Sequence, residues 1–173
     1  MYSRIVIYIA VIPVFMCIAC GQNTNADGDA IEKSDTIAGS TSSAGNKLSL
    51  SPEELEDDSV FNDGSIPVSW ENAGVTDPLR FKKFIRQLQI WVSENQVDSI
   101  SAHINYPVRN PGIKDSNEFK LNYGEYFSDG VKTALAEQKL NQIFRTQDGV
   151  MIGQGQIWLI EKNSNVFISA INN

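Results

Sequence analysis

The sequence predicts an α+β domain over residues 76–173, with helices packed on a curved antiparallel sheet. Three observations carry this reading. Apolar residues recur at helical spacing between Phe81 and Val92. Short β-patterned runs separated by turn residues fill the chain from Gln142 onward. The helical segments precede the strands instead of alternating with them, which is the order of an α+β layer and not of a βαβ sheet.

Asp77-Pro78 opens the first long helix: Asp77 supplies the cap, and Pro78 fits the first turn, where its missing N–H is not needed. Phe81, Phe84, Ile85, Leu88, Trp91 and Val92 then form one apolar stripe. Lys82, Lys83 and Arg86 fall off that stripe and read as a solvated face; an acidic partner, or the chain's own acidic tether, is the other reading. Val97–Ile104 reads as a second, short helix with Asp98 near its start. Asn110-Pro111-Gly112 is a turn, and Asp115-Ser-Asn-Glu118 has the form of a capping box opening a third helix. Ser128-Asp129-Gly130 starts another, through about Gln138. Gln142–Thr146 reads as a strand, Gln147-Asp148-Gly149 as a hairpin turn and Val150–Glu161 as one long strand. Gly153 and Gly155 inside that run mark a bulge or strong curvature. A turn at Lys162–Asn165 and a last strand at Val166–Ile171 close the sheet.

The charge is uneven. The net charge is −7, yet residues 21–75 hold eleven acids and two bases, whereas 76–173 hold ten acids and eleven bases. The acidity belongs to the segment before the domain and argues against nucleic acid as a partner. Residues from Gly21 to about Gly64 are rich in Asn, Asp, Ser, Thr, Gly and Ala, and the segment reads as disordered. Within it, Ser51-Pro52-Glu53-Glu54-Leu55 is a candidate helical turn, and Ser65–Trp70 a candidate edge strand.

At the amino terminus a short basic start precedes Ile5–Ile18, an apolar run of about fourteen residues, short of the roughly 20 that span a bilayer. Cys17-Ile18-Ala19-Cys20-Gly21 follows. This resembles the lipobox of bacterial lipoproteins, with Cys17 standing where Leu is usual. The resemblance implies a signal peptide over 1–19, lipidation of Cys20, and a tether over 20–75 that carries the domain at 76–173. Two or more acyl chains give stable anchoring. Gly21 after the cysteine favours the outer membrane over the inner. Three triplets, Asp35-Thr36-Ile37, Asp58-Ser59-Val60 and Asp98-Ser99-Ile100, resemble the Asp-Ser/Thr-apolar acceptor of bacterial periplasmic O-glycosylation, with Asp98-Ser99 read as a helix cap instead.

Across 78–173, Phe84, Leu88, Tyr106-Pro107-Val108, Glu118-Phe119, Phe144 and above all Gly149-Val-Met-Ile-Gly-Gln-Gly-Gln-Ile-Trp158 resemble exported bacterial members of the nuclear transport factor 2-like (cystatin-like) superfamily. The resemblance implies a cone enclosing a cavity, and strand edges that often pair into homodimers. It implies no one activity, because isomerases, dehydratases and pure binders share the fold. Isomerase-like members carry a carboxylate on the first strand; here Ile104–Arg109 has none. The candidate cavity-lining residues are His103, Tyr106, Tyr123, Tyr126 and Trp158, with Asp98 or Glu118 as partner to His103 in an enzyme reading.

With one histidine and no cysteine in the domain, a usual zinc site is not expected, and no cofactor is expected. Gly153-x-Gly155 lies in a β run and is no dinucleotide fingerprint. The expected function is therefore a non-catalytic binding or protein-interaction module of the cell envelope. Its expected partners are the bilayer through Cys20 and an envelope protein or small ligand. The alternative is a small isomerase- or dehydratase-like enzyme using His103 or a tyrosine.

Overall fold

The computed structural model describes residues 48–61 and 63–173; Cys20, Thr36 and the signal peptide lie outside them. Within one compact unit, helices come first and a four-stranded antiparallel sheet last, an α+β arrangement. The helices are α1 (Pro52–Leu55), α2 (Pro78–Ser93), α3 (Val97–Ser101), α4 (Ser116–Leu121), α5 (Tyr123–Tyr126) and α6 (Asp129–Glu137). The strands β1 (Phe144–Thr146), β2 (Gly149–Ile152), β3 (Ile157–Lys162) and β4 (Asn165–Ile171) form a meander in chain order.

The caps work as the residue types demand. Ser51 and Glu54 close a reciprocal capping box on α1. Asp77 accepts from Arg80 N–H at 3.0 Å to start α2. Asp115 accepts from the N–H groups of Asn117 and Glu118, but Glu118 reaches back to Lys114 N–H at 2.8 Å instead of closing the box on Asp115. The cap of α3 is Gln96, so Asp98 and Ser99 lie inside the first turn. That helix ends at Ser101, short of Ile104, because the chain then leaves to pair with the sheet: Ile168 N–H donates to His103 O and Asn105 N–H to Ile168 O. This parallel bridge covers part of the β4 edge.

One long strand over 150–161 does not form. Ile152 pairs with Ile157, so Gly153–Gln156 is the loop of a hairpin. The glycines are a turn signal because both adopt positive φ, +64° at Gly153 and +106° at Gly155. At Gly153 a Cβ would also lie 2.8 Å from that of Ala134 on α6. Gln138, just past α6, accepts from Gly153 N–H at 2.9 Å, and Gln89 of α2 donates to the carbonyls of Leu135 and Gln138. Two glutamine amides thus tie α2, the end of α6 and the β2–β3 turn together. The β3–β4 turn uses Asn163 and Ser164, both left-handed, the geometry of a tight two-residue hairpin.

Val150, Ile152, Ile157, Leu159, Val166, Ile168 and Ile171 face one side of the sheet and share a single core with Phe81, Ile85, Leu88, Phe119, Phe127, Val131 and Leu135 of the helical layer. Each such side chain contributes about 1.5–3 kcal/mol by burial. A register shift between Trp158 and Leu159 moves their partners from Ala170 to Ile168. The extra residue is the reason that Ile171, three positions after Ile168, still points inward.

Residues 48–61 and 63–75, expected in the tether, form a strap packed on the domain. Lys82, expected in solvent, is 2% exposed. Its Nζ donates to the carbonyls of Glu54, Leu55 and Glu56 and pairs with Asp57 at 2.7 Å. Arg86 pairs with Glu54, so two of the three bases on this face meet the chain's own acids, while Lys83 is exposed. Asp57 also faces Arg145 of β1, at 3.5 Å, and accepts from Trp70 Nε1. Arg145 donates to Val68 O at 2.9 Å and lies 4.3 Å from the centre of the Trp70 ring. Trp70 in turn packs on Phe81. The Ser65–Trp70 segment is irregular, not a strand; the Arg145 side chain supplies the bond a ladder would have made. Replacing Lys82 by Met leaves Asp57 and three carbonyls without their ammonium. The expected cost is about 3 kcal/mol, read as a lower urea midpoint by tryptophan fluorescence. A shift below about 0.5 kcal/mol would show that the strap is not held by this residue.

Candidate interaction surface

The five residues expected to line one cavity are dispersed. His103 is half-buried, with its ring 5.3 Å from that of Phe84 and 4.8 Å from that of Trp91. Its Nδ1 lies 2.9 Å from Ser99 O; a carbonyl only accepts, so Nδ1 carries the proton. Neither expected carboxylate joins it: Asp98 pairs with Lys120 at 2.6 Å, and Glu118 accepts from Lys114 N–H just before α4. The position therefore serves packing at the end of α3, not a His–carboxylate dyad. Tyr106 OH meets Ser101 Oγ at 2.9 Å, and Ser101 meets Ser116 at 2.7 Å, a hydroxyl chain joining the α3–α4 region. Tyr123 and Tyr126 stack with Phe127 and Phe119. Burial pushes the Tyr106 and Tyr123 phenols above their ordinary value of 10, so both are neutral at physiological pH and neither is a ready base. The space these rings were expected to share is occupied by fully buried Phe81, Phe119, Phe127, Ile85 and Leu88.

Trp158 lies elsewhere. Strand alternation puts it on the outer face of the sheet, opposite the core. Phe144, Met151, Trp158 and Ala170 stand in cross-strand register on β1, β2, β3 and β4, and Ile160 pairs with Phe167 beside them. Phe144, Met151, Trp158, Ile160 and Phe167 are all half-buried, an apolar row on a sheet whose other face is already filled. Two hollows flank it. One, of about 320 Å³, lies where the register shift opens the sheet, with Trp158, Ser169, Ala170 and Asn172 around it and Asp148 at its rim. Ser169 Oγ donates to Trp158 O at 3.2 Å and holds that distortion. The other, of about 400 Å³, lies at the β1 end, where Phe61 of the strap packs on Phe144, with Met151, Gln142 and Gln154 lining it. A polar groove of about 680 Å³ continues past the Gly153–Gln156 turn along α6. An apolar centre rich in Trp, Phe and Met within a polar rim is the composition of a protein-recognition surface.

Sequence reasoning passed over this face because its residues read equally well as core; only the register separates the two sides. It also passed over the buried charges. Glu161, on the inner face, has a side chain 4% exposed and pairs with Arg80 at 2.9 Å. Thr76 donates to it through both its hydroxyl and its N–H. Among the described residues no cluster of three or more His, Cys, Asp or Glu is placed to hold a metal ion.

Burial acts to raise the Glu161 pKa, but the Thr76 hydrogen bonds and the Arg80 guanidinium outweigh it and hold the carboxyl below 4.5. A folded-state pKa below the unfolded one means that stability is present above about pH 4.5 and lost as pH falls through the folded value. Glu54, held down by Ser51 and Arg86 against a burial effect of opposite sign, adds in the same direction. Glu161→Gln should therefore flatten the acid limb: urea midpoints of the variant should fall less than those of the wild type between about pH 5 and 3. Parallel limbs would show that Glu161 is not the coupled group.

Comparison with known protein families, with curated proteins and with solved structures finds no match to this chain.

Proposed function

We propose that this chain is a cell-envelope lipoprotein, anchored by acylated Cys20, whose domain is a non-catalytic protein-interaction module. The outer sheet face is its recognition surface. The observation that carries this reading is the half-buried row Phe144–Met151–Trp158 with Ile160 and Phe167, on the side of the sheet away from a core that is already closed. The separation of His103 from Asp98 and Glu118, and an interior filled by Phe81, Phe119 and Phe127, favour this reading over a small cavity enzyme. In this reading the fold is a cystatin-like cone, supported by the bulged β4 and by helices gathered on the inner face. The lipobox supports the anchor, and Gly21 favours the outer membrane. A second copy of the chain is the competing occupant of the same face.

Two measurements test it. Labelling growing cells with a fatty-acid analogue should mark the wild-type protein and leave a Cys20→Ala variant unmarked; an unmarked wild type removes the anchor. Photo-cross-linking in intact cells from position 167 should capture a distinct envelope protein. Trp158→Glu should weaken that capture more than tenfold, the loss of one buried aromatic contact, while fold stability falls by no more than about 1 kcal/mol. Capture indifferent to Trp158→Glu moves recognition off this face, and capture of a second copy alone makes the face a dimer interface.

A further inference from the structure

We propose that Ser59 is the acceptor of a covalently attached sugar, supplied by an activated glycosyl phosphate donor of the envelope. The sequence holds three Asp-Ser/Thr-apolar triplets, and the structure separates the two that it describes. Ser99 sits inside α3; its Oγ bonds to Gln96 Oε1 at 3.3 Å, and the apolar third residue, Ile100, is fully buried. A transferase would have to unfold that turn to reach it. Ser59 lies on an exposed bend of the strap, outside helix and strand. Val60 after it is 55% exposed, an apolar side chain that contributes little to the fold and is free to enter a pocket of an enzyme.

Asp58 fixes the bend. Its N–H donates to Asn141 O at 2.9 Å, and its carboxylate accepts from Gln142 Nε2 at 2.8 Å and from Asn141 Nδ2 at 3.4 Å. With Asp58 tied inward, Ser59 and Val60 are presented outward on a segment already ordered by Lys82 and Asp57. The modification thus falls on a surface loop of the folded protein, the context in which such short motifs carry weight. In the transfer, Ser59 Oγ attacks the anomeric carbon of the donor. The bond from that carbon to the phosphate oxygen breaks, the phosphate leaves with the electron pair, and the hydroxyl proton passes to a base of the transferase. The product is an O-glycosyl serine.

The test is mass spectrometry of the mature protein purified from the membranes of its own host, with fragmentation that localises labile groups. The expected result is a peptide carrying Ser59 with the added mass of one or more sugar residues, and a Ser99 peptide at its unmodified mass. Ser59→Ala and, separately, Val60→Asp should both abolish the increment while leaving the urea midpoint at the wild-type value, since both residues are exposed. A Ser59 peptide found only unmodified, a sugar on Ser99, or an increment that persists in either variant overturns the proposal.

Discussion

A single buried ammonium organises the outside of this domain. Lys82 has lost nearly all contact with water, a transfer that costs several kcal/mol unless the charge is matched. The match comes from one carboxylate and three main-chain carbonyls of the strap, all within hydrogen-bonding reach. Carbonyls at the end of a short helix carry partial negative charge and are left without intrahelical partners, so the four-residue α1 exists where a cation can close it. The strap is therefore as specified as the core, although it contains little apolar surface. Arg145 serves the same carboxylate from β1, so the acidic segment joins the helical layer to the first strand. The next residue of the strap, Asp58, adds its own bonds to Asn141 and Gln142 and holds the bend at Ser59.

The sheet illustrates how one set of apolar residues yields two unlike surfaces. Strands β2, β3 and β4 carry apolar residues on both sides, which is the signature of a strand covered on both faces. Helices cover one face only. The inner residues close a core; the outer ones remain half-exposed around Trp158. A single register shift keeps this division through the end of β4 by turning Ile171 inward after Ile168. The same shift opens the hollow beside Trp158, so the feature that completes the core also shapes the outer face.

The residues expected to share one cavity do not converge, for a geometric reason. His103 and Tyr106 lie in the segment after α3, Tyr123 and Tyr126 lie on α5, and each finds its own local partner: a carbonyl, a serine hydroxyl, or an aromatic ring. Carboxylates that would have activated the histidine are spent on a lysine and on a helix start. Large side chains on α2 and α4 then fill the interior that a ligand would need. The apolar residues that this packing leaves half-buried include the row around Trp158 on the outer face of the sheet.

The sequence by itself determined the local events. The Asp77 and Asp115 helix starts, the helical turn at Ser51–Leu55, the apolar stripe of α2, the hairpin after Thr146 and the meander order are all written in nearby residues, where backbone sterics and capping decide the outcome. The tertiary structure decided everything that needed a distant partner. Gly153 and Gly155 read as a bulge until pairing of Ile152 with Ile157 made them a turn. Lys82 read as solvated until an acid 25 positions earlier in the chain reached it. Residues 48–75 read as tether because their composition buries little apolar area, and ion pairing between segments leaves no periodic trace. Trp158 and Met151 read as core because strand alternation gives two faces but not which one is covered. That choice is made by the helices, and only once they are packed.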